Sequence, residues 1–337
     1  MRVLIAGLGA IGQRHARNLR ALRPDVELHA FRQRGLRHVV TESLRRDATR
    51  DVETELAVTP HATLDDALAA RPDAVFICTP SALHLDVALR AAAAGCHLYI
   101  EKPVSHTIDG LGRLGALVAE RKLVAMVGCQ WRYHPCVRRL HELVTGSALG
   151  DLRKAKIEYA EYLPDWHPYE DYRTSYAARA ELGGGVVLTH IHDYDLAWWL
   201  FGPVRHVHAT GGHESDLEID VEDTARAQLD TARGPVLVSQ SFASRPPRRR
   251  VTIRGSVATA EADLIAGRLA VDPPVAEGVT LVDYQRNEMF RAAVADFLRA
   301  VEGGGPPGVP LADGVAVLRV ALAVKESMRS RRPIVLT

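Results

Sequence analysis

Gly7-Leu8-Gly9-Ala10-Ile11-Gly12 constrains the start of this chain more than any other stretch. It follows the apolar run Val3-Leu4-Ile5-Ala6 directly. It then opens a helical pattern that reaches Leu22, with Ala16 and Leu19 inward and Gln13, Arg14, Arg17 and Arg20 outward. The spacing G-x-G-x-x-G is common by chance, but between a strand and a helix it has a mechanical meaning. Gly7 permits the tight turn, Gly9 lets backbone approach a diphosphate, and Gly12 lets the helix pack on the strand. Leu8, Ala10 and Ile11 complete the turn. A diphosphate held there lies at the positive end of the helix.

The first half of the chain keeps alternating. Residues 26–31, 73–78, 98–100 and 124–127 read as buried strands, and residues 64–68, 81–94 and 109–121 as helices. Ser81 caps one helix and Gly95 ends it. The pattern predicts an α/β fold, with residues 1–127 forming a doubly wound dinucleotide-binding (Rossmann) domain. Glu101-Lys102-Pro103 follow the strand at 98–100. Carboxyl ends of parallel strands border the crevice where such sheets bind ligands, which makes Lys102 a candidate site residue.

Beyond Gly128 the period changes. Residues 154–162, 204–210, 224–229, 236–241, 250–254 and 258–263 alternate polar and apolar, as half-exposed antiparallel strands do. Residues 187–201, 287–301 and 314–328 read as helices. Residues 128–337 are therefore expected to form an α+β domain with an open-faced, mostly antiparallel sheet. An uncovered face predicts a large apolar area, and hence a homodimer or homotetramer through it.

Composition narrows the partners. A formal net charge of +1 gives no long-range field for nucleic acid or anionic lipid. Cys78, Cys96, Cys129 and Cys136 form no Cys-x-x-Cys pair, so neither a disulfide framework nor a metal site is expected. No apolar run approaches the roughly 20 residues that span a bilayer. A reduced, cytoplasmic protein with a small-molecule partner is the expectation. The strand at 26–31 ends in Arg32-Gln33-Arg34 where an NAD site carries Asp or Glu. Arginine forks match a phosphate. NADP is therefore expected, with Arg32 and Arg34 on its 2′-phosphate and NAD left open.

Five landmarks, in this order and spacing, resemble the Gfo/Idh/MocA family (glucose–fructose oxidoreductase, inositol dehydrogenase and MocA). They are the glycine turn, Thr79-Pro80 with His84, Glu101-Lys102-Pro103, Gln130-x-Arg132, and Gly183-Gly184-Gly185 followed by His192-x-x-Asp195. The resemblance covers nearly the whole chain. It implies hydride transfer between NAD(P) and a ring carbon of a sugar, sugar nucleotide or cyclitol. It implies that Cys78, Thr79, Pro80, His84, Glu101, Lys102 and Gln130 border the dinucleotide. It also implies that Lys102 is catalytic, with a cis bond to Pro103, and that His192 is the second catalytic group. One departure stands out. Many members carry an aspartate four residues before that histidine, and this chain has Leu188. Asp195, on the same helical face as His192, is the candidate to orient the imidazole or to act as a tether. His190 and Asp193 are nearby alternatives.

Residues 162–173 hold Trp166 and three tyrosines in a chain that is only 6% aromatic. Trp166 and Tyr169 suit stacking on a pyranose or a base, or covering a core. Arg132 suits a substrate carboxylate or phosphate, or an interdomain salt bridge. Tyr133 and Thr189 complete the expected substrate pocket with Lys102 and His192. Hydride transfer needs a base for the hydroxyl proton, typically worth 10²–10⁴-fold. Lysine is a poor base at its ordinary pKa of about 10.4, whereas histidine needs no tuning. His192 is thus expected to move the proton while Lys102 polarises the oxygen. Two other functions share the fold: a glycosidase that oxidises transiently with a tightly held NAD, and a non-enzymatic dinucleotide sensor. Loss of Lys102 or His192 would mark the sensor, and both are present.

Overall fold

The computed structural model describes residues 1–32, 35, 37–41, 44–167, 169–275 and 279–336, with backbone alone for 279–281. The first half alternates strands and helices: β1 Arg2–Ala6, α1 Ala10–Leu22, β2 Glu27–Phe31, β3 His38–Val40, β4 Arg46–Asp51, α2 Val52–Leu56, β5 Thr59–His61, α3 Leu64–Ala69, β6 Ala74–Ile77, α4 His84–Ala93, β7 His97–Ile100, α5 Leu111–Glu120 and β8 Ala125–Val127. Six of these strands form a parallel sheet in the order β5-β2-β1-β6-β7-β8. Helices cover both faces, so β1, β6 and β7 read as unbroken apolar runs and are buried almost throughout. The strand order reverses between β1 and β6, which is where doubly wound sheets bind their ligands.

In a poorly patterned stretch of the sequence, strands β3 and β4 pair antiparallel. Gln13 explains how they are held. Expected outward, Gln13 is buried instead. Its amide nitrogen donates to the carbonyls of Leu8 and His38, and its oxygen accepts from Val40 N–H at 2.7 Å.

The second half adds α6 Pro135–Thr145, β9 Leu152–Tyr162, α7 Val186–Thr189, α8 His192–Phe201, β10 Val204–Gly212, β11 Thr224–Thr231, β12 Gly234–Ser241, β13 Ala243–Gly255, β14 Thr259–Asp263, β15 Arg268–Asp272, β16 Val279–Leu281, α9 Arg286–Val301, α10 Leu311–Ser330 and β17 Ile334–Val335. Nine strands make one sheet, β16-β15-β14-β13-β9-β12-β11-β10-β17, antiparallel except where β9 meets β12. Helices α6, α7, α8 and α10 cover one face. The other face is open, but it is not apolar. One row across it reads Gln228, Leu237, Lys156, Thr252, Glu261, and the next reads Arg226, Ser239, Glu158, Arg250, Asp263. The large apolar area that predicted an oligomer through this face is therefore missing. One helix also changes sides. Phe297 on α9 packs edge-on against Phe76 and Tyr99 of the parallel sheet, so α9 belongs to the dinucleotide layer.

Candidate active site

The turn after β1 is fixed by contact. A Cβ on Gly12 would lie 1.9 Å from the Gly7 carbonyl oxygen, and one on Gly7 would lie 2.6 Å from that of Cys78. Gly9 differs, because nothing lies within 4 Å of where its Cβ would be. The protein's own packing requires Gly7 and Gly12, whereas Gly9 opens a path from outside. That path ends at α1, whose N-cap carries no side-chain hydrogen bond. The first amides of a helix lack intrahelical partners. The residues present thus fit a dinucleotide diphosphate.

Farther along the crevice, several expected cofactor contacts turn out to be braces. His84 has Nδ1 2.7 Å from the Pro103 carbonyl and Nε2 2.8 Å from that of Thr79. Its ring fastens the Thr79-Pro80 loop to Pro103 rather than facing a ligand. Glu101 accepts from His15 Nε2 at 2.7 Å, tying the end of β7 to α1. Burial alone would raise its pKa, but His15 and Lys102 hold it below the usual carboxylate value. The Lys102–Pro103 bond is cis. At the end of β2, Arg32 is ion-paired with Glu53, which also takes Arg37 at 3.2 Å. Arg34 lies outside the described residues.

Lys102 points the other way from Glu101. Its Nζ donates to the Thr189 carbonyl at 2.9 Å. The helix expected over 187–201 is broken there, into α7 and α8, and the break makes this contact possible. In a continuous helix the Thr189 carbonyl would accept from Asp193 N–H, which bonds His190 O instead. Gly183 seats this segment on the other domain, because a Cβ there would meet His106 and Ser81 at 2.8 and 3.0 Å.

His192 opens α8 and is buried. Its Nε2 lies 3.4 Å from the Gln130 amide nitrogen, and its Nδ1 has no partner among the described residues. Burial first, then the charge of Lys102, pushes its pKa well below the ordinary histidine value. It is therefore neutral at pH 7 and able to accept a proton.

Asp195 does not orient that ring. Its carboxylate takes Arg132 Nη2 at 2.6 Å and Nε at 3.1 Å, and Arg132 Nη1 also holds Asp313 at 2.7 Å and the Gly308 carbonyl at 3.2 Å. The Arg132 and Asp195 side chains are 3% and 1% exposed. Arg132 is thus closed to a substrate anion, and the pair ties the segment after β8 to α8 and to the start of α10 inside the second domain. Leu188 offers no replacement acid. Tyr133 is committed as well, donating to Asp296 at 2.7 Å. Tyr169 lies 6.5 Å from His38 on the dinucleotide side, away from the Trp166 cluster.

Trp166 does join the site, edge-on to His190 with centroids 4.9 Å apart. His190 stacks on Tyr159 at 3.4 Å. Arg249 donates to His190 Nδ1 at 3.0 Å, bonds Asp193 at 3.2 Å, and lies over the Trp131 and Tyr159 rings. Arg249 and Tyr159 escaped the sequence reading because Arg248-Arg249-Arg250 looks like a solvated run. The signal was parity, since Arg249 shares the inward phase of Val251 and Ile253.

Six buried polar atoms on the residues described above lack partners among the described residues: Thr79 Oγ1, Gln130 Oε1, Trp166 Nε1, Thr189 Oγ1, His190 Nε2 and His192 Nδ1. Each costs about 1–3 kcal/mol when left unpaired. Among the described residues no group of His, Cys, Asp and Glu could hold a metal ion, and no helix is long and apolar enough to cross a membrane.

Residues 1–129 match the model of an oxidoreductase family with an NAD-binding Rossmann fold, and residues 137–261 match the GFO/IDH/MocA C-terminal domain. Myo-inositol 2-dehydrogenase of Thermotoga maritima is 27% identical over 99% of this chain and 98% of its own. UDP-N-acetylglucosamine 3-dehydrogenase of Acidithiobacillus ferrooxidans is 29% identical over 98% of each chain. Its solved structure has a TM-score of 0.77 at 26% identity, again over 98% of each chain. The crystal structure of GenD2 from gentamicin A biosynthesis shares the fold, with a TM-score of 0.82 at 24% identity over 100% of this chain and 96% of that one.

Proposed function

The chain belongs to the Gfo/Idh/MocA family of NAD-binding oxidoreductases, and from that premise we propose that it interconverts a ring alcohol and ketone of a sugar, sugar nucleotide or cyclitol. The observation that carries this reading is the meeting of Lys102 and His192, from different domains, among buried polar atoms without partners. A bound nicotinamide supplies the hydride acceptor or donor. Lys102 Nζ, held by the Thr189 carbonyl, polarises the reacting oxygen. His192, neutral and buried, takes the hydroxyl proton in oxidation and returns it in reduction. Because burial first, and then the charge of Lys102, depresses the His192 pKa, this base stays unprotonated to lower pH than an ordinary histidine.

The presence of both residues in one cleft favours an enzyme over a dinucleotide sensor. NAD is the favoured cofactor, because the Glu53 carboxylate neutralises Arg32 where a 2′-phosphate would sit. Relatives named for myo-inositol and UDP-N-acetylglucosamine mark the substrate range to test.

The test is a spectrophotometric panel of cyclitols, sugars and sugar nucleotides with NAD⁺, NADP⁺ and the reduced cofactors. Nicotinamide turnover with at least one compound is expected, falling by about 10²–10⁴-fold in Lys102→Ala while cofactor binding persists. Normal turnover in that variant sinks the assignment. So does a wild-type protein that binds dinucleotide yet reacts with nothing.

A further inference from the structure

We infer that His190 is a substrate-recognition residue, donating from Nε2–H to an acceptor oxygen beside the reacting carbon. Trp166 Nε1–H is the second donor of this subsite. The site thereby selects rings bearing an acyl carbonyl or a carboxylate at that position. This rests on the hydride-transfer reading above.

Hydrogen-bond direction carries the argument. Arg249 has only donors, so its contact with His190 Nδ1 at 3.0 Å makes Nδ1 an acceptor. The ring proton must then sit on Nε2. Arg249 is itself fixed by Asp193 and by the rings of Trp131 and Tyr159, so the tautomer is built in. His190 is 8% exposed and its Nε2 has no partner among the described residues. Burial and the charges of Arg249, Lys102, His192 and Arg286 all push its pKa down, so the ring stays neutral. A neutral imidazole locked with Nε2–H outward is a donor and not a base.

Trp166 Nε1 is likewise buried without a partner in the same cluster. The rings packed around the pair are Tyr159 and Phe242. A hydroxyl placed there would meet donors but would have to direct its own hydrogen at aromatic rings. A carbonyl or carboxylate oxygen has no hydrogen to place, which is the basis of the selectivity.

Two measurements decide it. The first needs no substrate: ¹⁵N-histidine NMR, with the His190 ring assigned by its disappearance in His190→Phe. A single Nε2–H tautomer is expected at pH 7, and an Nδ1–H tautomer or a charged ring there overturns the inference. The second compares UDP-N-acetylglucosamine, UDP-glucuronic acid and UDP-glucose on the NAD-loaded protein, by turnover and by calorimetry. In the wild type, tighter binding of the acyl or the acid compound than of UDP-glucose is expected. His190→Phe keeps the ring and should erase that preference, raising KM for the preferred compound about 10-fold with kcat little changed. His190→Gln, which restores a donor, should recover part of it. A collapse of kcat would mean that His190 moves the proton. An equal loss for all three compounds would mean that it only supports the fold. Either result, or no preference in the wild type, overturns the inference. Selective binding without turnover would keep it and remove the hydride-transfer reading.

Discussion

Around the dinucleotide crevice, Glu101 is bonded to His15, His84 is wedged between two carbonyls and Arg132 is bonded to two carboxylates. Across the cleft, Thr189, His190, His192 and Trp166 each keep a buried polar atom without a partner among the described residues. The first wall is mostly closed by its own bonds and shaped by glycines, with Thr79 Oγ1 and Gln130 Oε1 as its unpaired atoms, so its ligand is received largely by backbone. The other is left open, so its ligand must supply the missing bonds. A cofactor shared by a whole family suits the first arrangement, and a substrate that varies between relatives suits the second.

The sharpest way to break this contrast is to remove one polar group from each wall. Arg132→Met strands buried Asp195 and should cost about 3–5 kcal/mol in urea unfolding. Thr189→Val removes a hydroxyl that bonds nothing described, and should change stability by less than about 1 kcal/mol. Equal losses would erase the distinction. A smaller effect separates two glycines of the closed wall. Gly12→Ala should cost about 3 kcal/mol as well as dinucleotide affinity, because its Cβ strikes the Gly7 carbonyl. Gly9→Ala should lose affinity while its melting curve stays put, and a large drop in Tm would contradict an open path at Gly9. The smallest effect concerns cofactor choice. Glu53→Gln removes one counter-charge from Arg32 and should raise the NADP/NAD ratio of kcat/KM roughly fivefold, the 1 kcal/mol scale of a partly exposed pair. An unchanged ratio would place cofactor selection elsewhere.

The closed wall was the more legible in the sequence, for a physical reason. Unbroken apolar runs and a glycine turn are local patterns, and they gave strands β1, β2, β6, β7 and β8 and the position of Lys102. What failed was pairing between distant residues. Asp195 sits correctly for His192 by helical spacing, but Arg132, sixty-three positions away, claims it. Gln13 reads as an outward polar residue until β3 arrives to use its amide. Arg249 was hidden in a basic run, and α9 was assigned to the wrong layer because nothing local says which sheet its apolar stripe meets. The break at Thr189–Ile191 has no local breaker such as Gly or Pro. It is sustained by contacts from outside the segment, among them Lys102 on the Thr189 carbonyl and Gln240 on that of His190.

The Arg132–Asp195 tie also sets an angle. Asp195 lies one turn along α8 from His192, so whatever grips the aspartate fixes the rotation of that helix about its own axis. A side chain about 6 Å from the axis moves about 1 Å for each 10° of roll. A misplacement of that size can cost about 10²-fold in rate. The buried ion pair thus works as the angular stop for His192, the histidine proposed to move the proton. Slack in it would appear as slow turnover in an enzyme whose reacting groups are all intact.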